Sequence, residues 1–347
     1  MTTISLLIPD LIPSAAMNSA LLSDLSLPAL SILLARGKRN QNNTAPDIET
    51  ALCQHFGITR QSDWPVAPIT LQAEGGKPGA HYWLRADPVH LRATREQLML
   101  VDSGAFEISQ AEAAQFADAF NCHFQNDGYT LYPVQPKRWY LQVTRPPALT
   151  TCSINSVTGK SINDYLPSGP DGLAWHRFYN EIQMLFFSLP VNGARETRGE
   201  LAINSLWCWG GGILPIIPAC SSPKLWSNDS DARALATATQ VDNATLPDHA
   251  NTITDPALVI LDQLSGAAQY GDYQGWREAL LQLESNWFAP LLARLKSGQI
   301  TSLQISTFTH QHTINWQIKS SDLYKLWRRS TITQSLTVPP VLMYQHS

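Results

Sequence analysis

At 347 residues the chain exceeds what one compact core usually holds, so two domains, or one large domain with an inserted lobe, is the starting expectation. Hydrophobic residues make up 44% and charged residues 15%, which is enough apolar surface for a packed core and too little charge for a disordered chain. A formal net charge of -4, with no Lys or Arg block longer than Arg328-Arg329, argues against nucleic acid as the main partner, because phosphate neutralisation needs a clustered basic surface.

The first segment, Met1 to Pro9, is apolar, lacks a basic start and runs into Asp10 and Pro13. It reads as a buried first strand with Asp10 at its C-terminal edge and not as a signal peptide, so the chain is expected in the cytoplasm. No segment approaches the ~20 apolar residues needed to span a bilayer, and no membrane partner is expected. Ser26 has the look of an N-cap for a helix from Leu27 onward that stops at Gly37. A Gly/Pro loop at Gly75, Gly76, Pro78 and Gly79 precedes a strand at Tyr82 to Arg85, then an acidic turn from Ala86 to Arg92, then a strand at Gln97 to Val101. Ser109 to Phe120 has helical spacing, with Ser109 and Glu112 set as a capping box.

Farther along, Lys137 to Val143 alternates like a strand and Gly172 to Ser188 repeats like a helix. After Pro215 and Pro218 the pattern returns to α/β. Leu258 to Asp262 is an apolar strand ending in an acid, and Asp272 to Leu295 is the longest amphipathic helix. Strands at Ile300 to Ser306 and His312 to Ile318 follow, then a surface helix at Asp322 to Arg328. In open α/β sheets ligands bind beyond the carboxyl ends of the strands, where Asp10 and Asp262 fall. The five cysteines (Cys53, Cys122, Cys152, Cys208, Cys220) form no CxxC pair and read as free thiols.

Three stretches resemble a known family. They are Ala86-Asp-Pro-Val-His-Leu-Arg92, Asn180-Glu-Ile-Gln-Met-Leu185, and Pro190-Val-Asn-Gly-Ala-Arg195 running on to Asn204-Ser-Leu-Trp-Cys-Trp-Gly-Gly-Gly212. Together they resemble the RpfE-type regulatory proteins of bacteria, which are phosphoglycerate mutase-like. The last stretch is also similar to the lid of archaeal-type cofactor-independent phosphoglycerate mutases. The resemblance implies an α/β alkaline-phosphatase-like core (residues 1–79 and 219–347) with helices on both faces of its sheet, interrupted by an inserted α+β lid at residues 80–218.

Within the motifs, Arg195 and Arg198 lie three apart on one helix face, and their planar forks suit a phosphate or carboxylate. Trp207 and Trp209 alternate on a strand, and Gly210 to Gly212 would let backbone amides approach an anion; packing of the two Trp rings and a tight turn is the equal alternative. Asp87, His90 and Arg92 place an acid, a titratable ring and a fixed cation together, against the plainer reading of a capped turn facing water. The resemblance adds Asn192, Asn204 and Gly211 to this ligand-binding set.

Enzymes of the family that this chain resembles use two divalent ions (Mn or Zn) held by Asp and His, with a Ser nucleophile. Asp10 matches the first ligand by position. The signature Asp-x-Ala-Gly-His-x-Gly-Asp falls on Ser265-Gly-Ala-Ala-Gln-Tyr-Gly-Asp272, so Ser265 and Gln269 stand where Asp and His are required. The next strand ends without Gly-Asp-His and offers His310, with His312 two residues on. Between Asn40 and Glu74 only Ser62 and Thr70 remain as nucleophile candidates. A metal site is therefore not expected and no cofactor is called for. Asp10, Asp262 and Asp272 are the catalytic candidates of the rival reading, a phosphotransferase or phosphatase with a rearranged site; Asp272 reads better as a helix N-cap. The leading expectation is a regulatory or small phospho-ligand-binding protein. An interaction module using its 11 Trp residues is the third, with no partner protein indicated.

Overall fold

A computed structural model describes residues 2–12, 22, 24–42, 47–94, 97–308, 313–328 and 336. The chain divides into two compact units, one of Met1–Ile48, Ser222–Arg233 and Asp242–Ser347, the other of Glu49–Ser221 and Ala234–Val241. Residues 49–79 thus group with the second unit, where the sequence had placed them in the core ahead of a hinge at Gly79.

Unit one is built on a mixed seven-stranded sheet. Its strands are β1 (Thr3–Leu7), β2 (Lys38–Asn42), β8 (Lys224–Trp226), β9 (Asn243–Ala244), β10 (Ala257–Ile260), β11 (Ser302–Phe308) and β12 (Thr313–Lys319), in the order β2-β12-β11-β1-β10-β8-β9. β1 is central and parallel to both neighbours, with Leu7 level with Ile260 on one side and Ser306 on the other. Alternate residues (Ile4 and Leu6, Ala257 and Val259, Leu303 and Ile305, Ile314, Trp316 and Ile318) share one apolar cluster with helices Pro28–Arg36, Tyr273–Leu283 and Ala289–Lys296. The period of two in the strands and of 3.6 in the helices builds this core.

The long helix expected from Asp272 to Leu295 is interrupted by one π turn, Glu284–Phe288. Pro290 cannot donate to the carbonyl four residues back, and the ladder widens there. The turn aims the buried Glu284 carboxylate at the amides of Ala29 (2.6 Å) and Leu30 (3.0 Å). Helix Pro28–Arg36 is therefore capped from a distance, and not by Ser26; Leu27 occupies its N-cap position without a side-chain bond. The last surface helix is only a 3-10 turn, Ser320–Tyr324.

Unit two carries an antiparallel sheet of β3 (Tyr82–Ala93), β4 (Leu98–Val101), β5 (Tyr129–Gln135), β6 (Arg138–Val143) and β7 (Ser205–Ile213), in the order β4-β3-β6-β5 with β7 on the other side of β3. Ala86 to Arg92 is not a turn but the middle of β3. Pro88 is tolerated because residues 86–89 pair with β7 alone, between the stretches held by β6 and β4. Helices Gln110–His123 and Gly172–Phe187 cover one face through Phe116, Phe120, Trp175, Phe178 and Ile182. Ser109 and Glu112 form the expected capping box. Helix Val66–Ala73 packs on Trp83 and Tyr140 through Ala67 and Leu71. No helix among the described residues is long and apolar enough to cross a membrane.

Candidate functional site

The chemistry-bearing residues fall into two groups, one in each unit. In unit two, alternation along β3 and β7 puts Arg85, Asp87, Trp207 and Trp209 on one side of the sheet. The Arg85 guanidinium donates to Asp87 Oδ1 at 2.6 Å, and Trp209 Nε1 donates to Asp87 Oδ2 at 2.7 Å. Arg85 lies 5.3 Å from the Trp209 ring centre and 5.4 Å from that of Tyr140. Tyr140 donates in turn to Thr70 Oγ1, which bonds the helical carbonyl of Val66. Burial holds the phenols of Tyr140 and Tyr82 up at about 12, so both stay neutral donors. Arg85, Asp87 and Trp209 are each at most 4% exposed. Asp87 is thus an internal counter-ion.

The other motif residues are likewise engaged. Asn192 donates to Phe186 and Ile203 carbonyls and accepts from the Ile203 amide, joining the end of one helix to the approach to β7. Fully buried Arg195 spends its fork on Leu201 O, Glu107 O and Glu112, while the half-exposed Arg198 binds Glu112 and Glu200. Glu200 and Glu112 hold the Arg198 guanidinium above its usual value, and that guanidinium in turn draws Glu200 below its own. Asn204 pairs with both backbone groups of Leu91, and His90 Nδ1 meets Ala202 O at 2.8 Å. Trp207 donates to Cys152 O and stacks on Tyr179 with their ring centres 6.0 Å apart. Arg92 alone of this set faces solvent without an ion pair among the described residues.

The glycines serve packing. A Cβ on Gly211 would lie 2.4 Å from the Tyr82 hydroxyl, and one on Gly212 would lie 2.6 Å from Pro65 Cβ. Protein atoms fill the space expected for an anion, and the Gly210 amide donates to Thr151 Oγ1, itself bonded to buried Asp63. The Thr70 hydroxyl is fully buried and committed to Val66 and Ala67 carbonyls, so it is not poised as a nucleophile. Sequence reasoning missed Arg85, Tyr140, Asp63 and Thr151. Arg85 stands two residues before Asp87, a spacing that marks a shared strand face once Ala86 to Arg92 is read as a strand.

In unit one, the parallel pairing of β1 and β10 brings their carboxyl ends level, and Asp10 and Asp262 follow directly. Asp10 has φ 56°, a left-handed conformation that Asp tolerates better than most residues, and its carbonyl accepts from Trp276 Nε1 at 3.0 Å. Burial pushes the Asp262 carboxyl up, and its carbonyl accepts from the Ser265 amide. A short helix, Ser265–Gln269, leads to Asp272, whose side chain accepts from the Gly275 amide at 2.9 Å as N-cap of Tyr273–Leu283. Asp272 is therefore a cap, as its position before the helix implied.

The two divalent ions implied by the resemblance do not fit this donor set. Where the resembled signature has Asp and His, this chain has Ser265 and Gln269, whose neutral hydroxyl and amide lack the charge and basicity that hard or borderline ions require. Among the described residues no group of three or more His, Cys, Asp or Glu side chains is arranged to hold a metal. His310 and His312 lie outside the described residues.

The fold and these signatures define an α/β protein similar to cofactor-independent phosphoglycerate mutases. No family profile matches the chain. It is 27% identical over 208 residues to the 2,3-bisphosphoglycerate-independent phosphoglycerate mutase of Methanosarcina mazei, covering 57% of this chain and 51% of the relative. It is 29% identical over 199 residues to the probable 2,3-bisphosphoglycerate-independent phosphoglycerate mutase of Geobacter sulfurreducens, covering 54% and 49%. The chain thus spans about half the length of the curated relatives it matches. Among solved structures, the PH0037 protein of Pyrococcus horikoshii superposes with a TM-score of 0.53 at 12% identity, over 96% of this chain and 92% of that one. That likeness shows a shared α/β fold.

Proposed function

We propose that this is a phosphoglycerate mutase-like protein that has given up two-metal phosphoryl transfer and acts as a regulatory, ligand-binding protein. One observation carries the reading: strand β10 leads through Ser265–Gln269 to the Asp272 cap in the order of the mutase signature, with Ser265 and Gln269 at the ligand positions. Two metals clamp the attacking and leaving oxygens in such chemistry; a site lacking the Asp and His ligands supplies neither clamp.

The ligand we propose is a small phosphorylated or carboxylated molecule. Without cations, the carboxylates of Asp10 and Asp262 repel such an anion. Of the motif cations, Arg85 and Arg195 are buried and committed, so the exposed Arg92 is the group that would hold it, joined by the half-exposed Arg198 only on giving up Glu112 or Glu200. Their segments are tied together by His90 to Ala202 and by Leu91 to Asn204. Mutase and phosphatase assays with added manganese test the first half of the proposal: no turnover is expected, and manganese-dependent turnover would overturn it. For the second half, 3-phosphoglycerate should raise the melting temperature of the unmodified chain but not of Arg92→Ala. An equal rise in both would remove Arg92 from the site.

A further inference from the structure

Helix Gly172–Phe187 has two working faces. Trp175, Phe178, Tyr179, Ile182 and Phe186 point into unit two, as an amphipathic helix requires. On its outer side stand Leu173, Arg177, Asn180, Met184 and Phe187, separated by four, three, four and three residues. That is the alternation of a two-helix seam. Leu173 is 68% exposed, Met184 76% and Phe187 84%, large apolar side chains that a free surface does not favour in a row. Beside them runs a groove of about 650 Å³ lined by His123, Arg177, Asn180, Glu181, Met184 and Ser188 among others.

The ends of the row are symmetric about Asn180, with Leu173 and Phe187 each seven residues from it, and Arg177 and Met184 lie three and four residues to either side. We propose that this seam is the contact between two copies of the chain, packed antiparallel about a twofold axis through Asn180. The positions of Leu173 and Phe187 average to Asn180, so each Leu173 meets the second copy's Phe187. Each Arg177 comes beside the second copy's Met184, with that copy's Glu181 one turn away and within reach of the guanidinium. Arg177 makes no ion pair among the described residues, while Glu181 holds only the ring of His123, at 2.8 Å on an exposed surface. Asn180 meets its own copy on the axis, where a paired polar residue fixes register. A twofold contact needs a self-complementary patch, and Arg177 set against the second copy's Glu181 makes this one complementary in charge. Sixteen residues of helix give a seam roughly 24 Å long. Such a seam buries less than the ~800 Å² per partner of a standard interface, so the dimer is a dissociable one.

Sedimentation velocity of the full chain across a wide concentration range tests this. The unmodified protein is expected to shift from monomer to dimer as concentration rises. Met184→Glu and Phe187→Glu should each abolish the shift with unchanged far-ultraviolet circular dichroism, since both side chains are exposed. Arg177→Glu should weaken the dimer, and adding Glu181→Arg should restore it. A chain that stays monomeric at the highest concentration overturns the proposal. So does a dimer indifferent to Phe187→Glu, or one that Arg177→Glu with Glu181→Arg fails to restore.

Discussion

Asp87→Ala distinguishes a structural role of the first motif from a ligand-binding one. The substitution leaves the Arg85 guanidinium buried without the carboxylate 2.6 Å away and removes the acceptor 2.7 Å from Trp209 Nε1. Removing one partner of a buried ion pair costs about 3–5 kcal/mol. A buried indole N–H left without its acceptor adds about 1–3 kcal/mol, partly overlapping the first cost. Together they come to about 4–6 kcal/mol against unit two, a large part of a domain's stability. The double variant Asp87→Leu with Arg85→Met should cost much less than the single one, because no charge is then stranded. Urea denaturation followed by hydrogen exchange at β3 and β7 amides reads the loss in the unit concerned. If Asp87→Ala costs under about 1 kcal/mol, the network is not holding the sheet together and Asp87 returns to the ligand-binding set.

Three further outcomes follow from the geometry. Glu284→Ala should cost roughly 2–4 kcal/mol, since two amides at a buried helix start lose their acceptor; Glu284→Gln, which keeps one oxygen, should cost less, as thermal melts would show. Asp262→Asn should stabilise unit one at neutral pH. Burial raises the Asp262 carboxyl in the folded state, so its favourable contribution is present at low pH and lost as pH rises through the folded value. The advantage of Asn over Asp therefore grows from acid toward neutral in a series of melts, and a bound cation at this edge would reverse its sign. Gly211→Ala should cost about 1–3 kcal/mol through the Tyr82 clash, and Tyr82→Phe should relieve part of it.

Much of the fold was legible because apolar runs ending in acids marked β1 and β10, and because Ser109 with Glu112 and Asp272 announced their helices through short-range bonds. The failures came where a distant group decided. Ser26 looked like a cap, but Glu284, far off in sequence, holds the amides. Ala86 to Arg92 looked like a turn because Pro88 weighs against a strand, and only the sheet topology shows a one-sided stretch that tolerates it. Arg195 and the glycines were read by chemical type alone. Their burial depends on Glu112, Tyr82 and Pro65 coming from other segments, which spacing along the chain does not encode. The reading of Ser265 and Gln269 rests on residue identity in a resembled motif alone, and the loss of ligands there stays the proposal that the metal measurement tests.

The claim that the two-metal site has been lost is tested most directly by elemental analysis of protein purified without chelators, repeated after dialysis against manganese and against zinc. The account requires no stoichiometric divalent ion in any of the three samples. Two ions per chain, lost on Asp10→Ala, would show that the strand edges still bind metal and would contradict it.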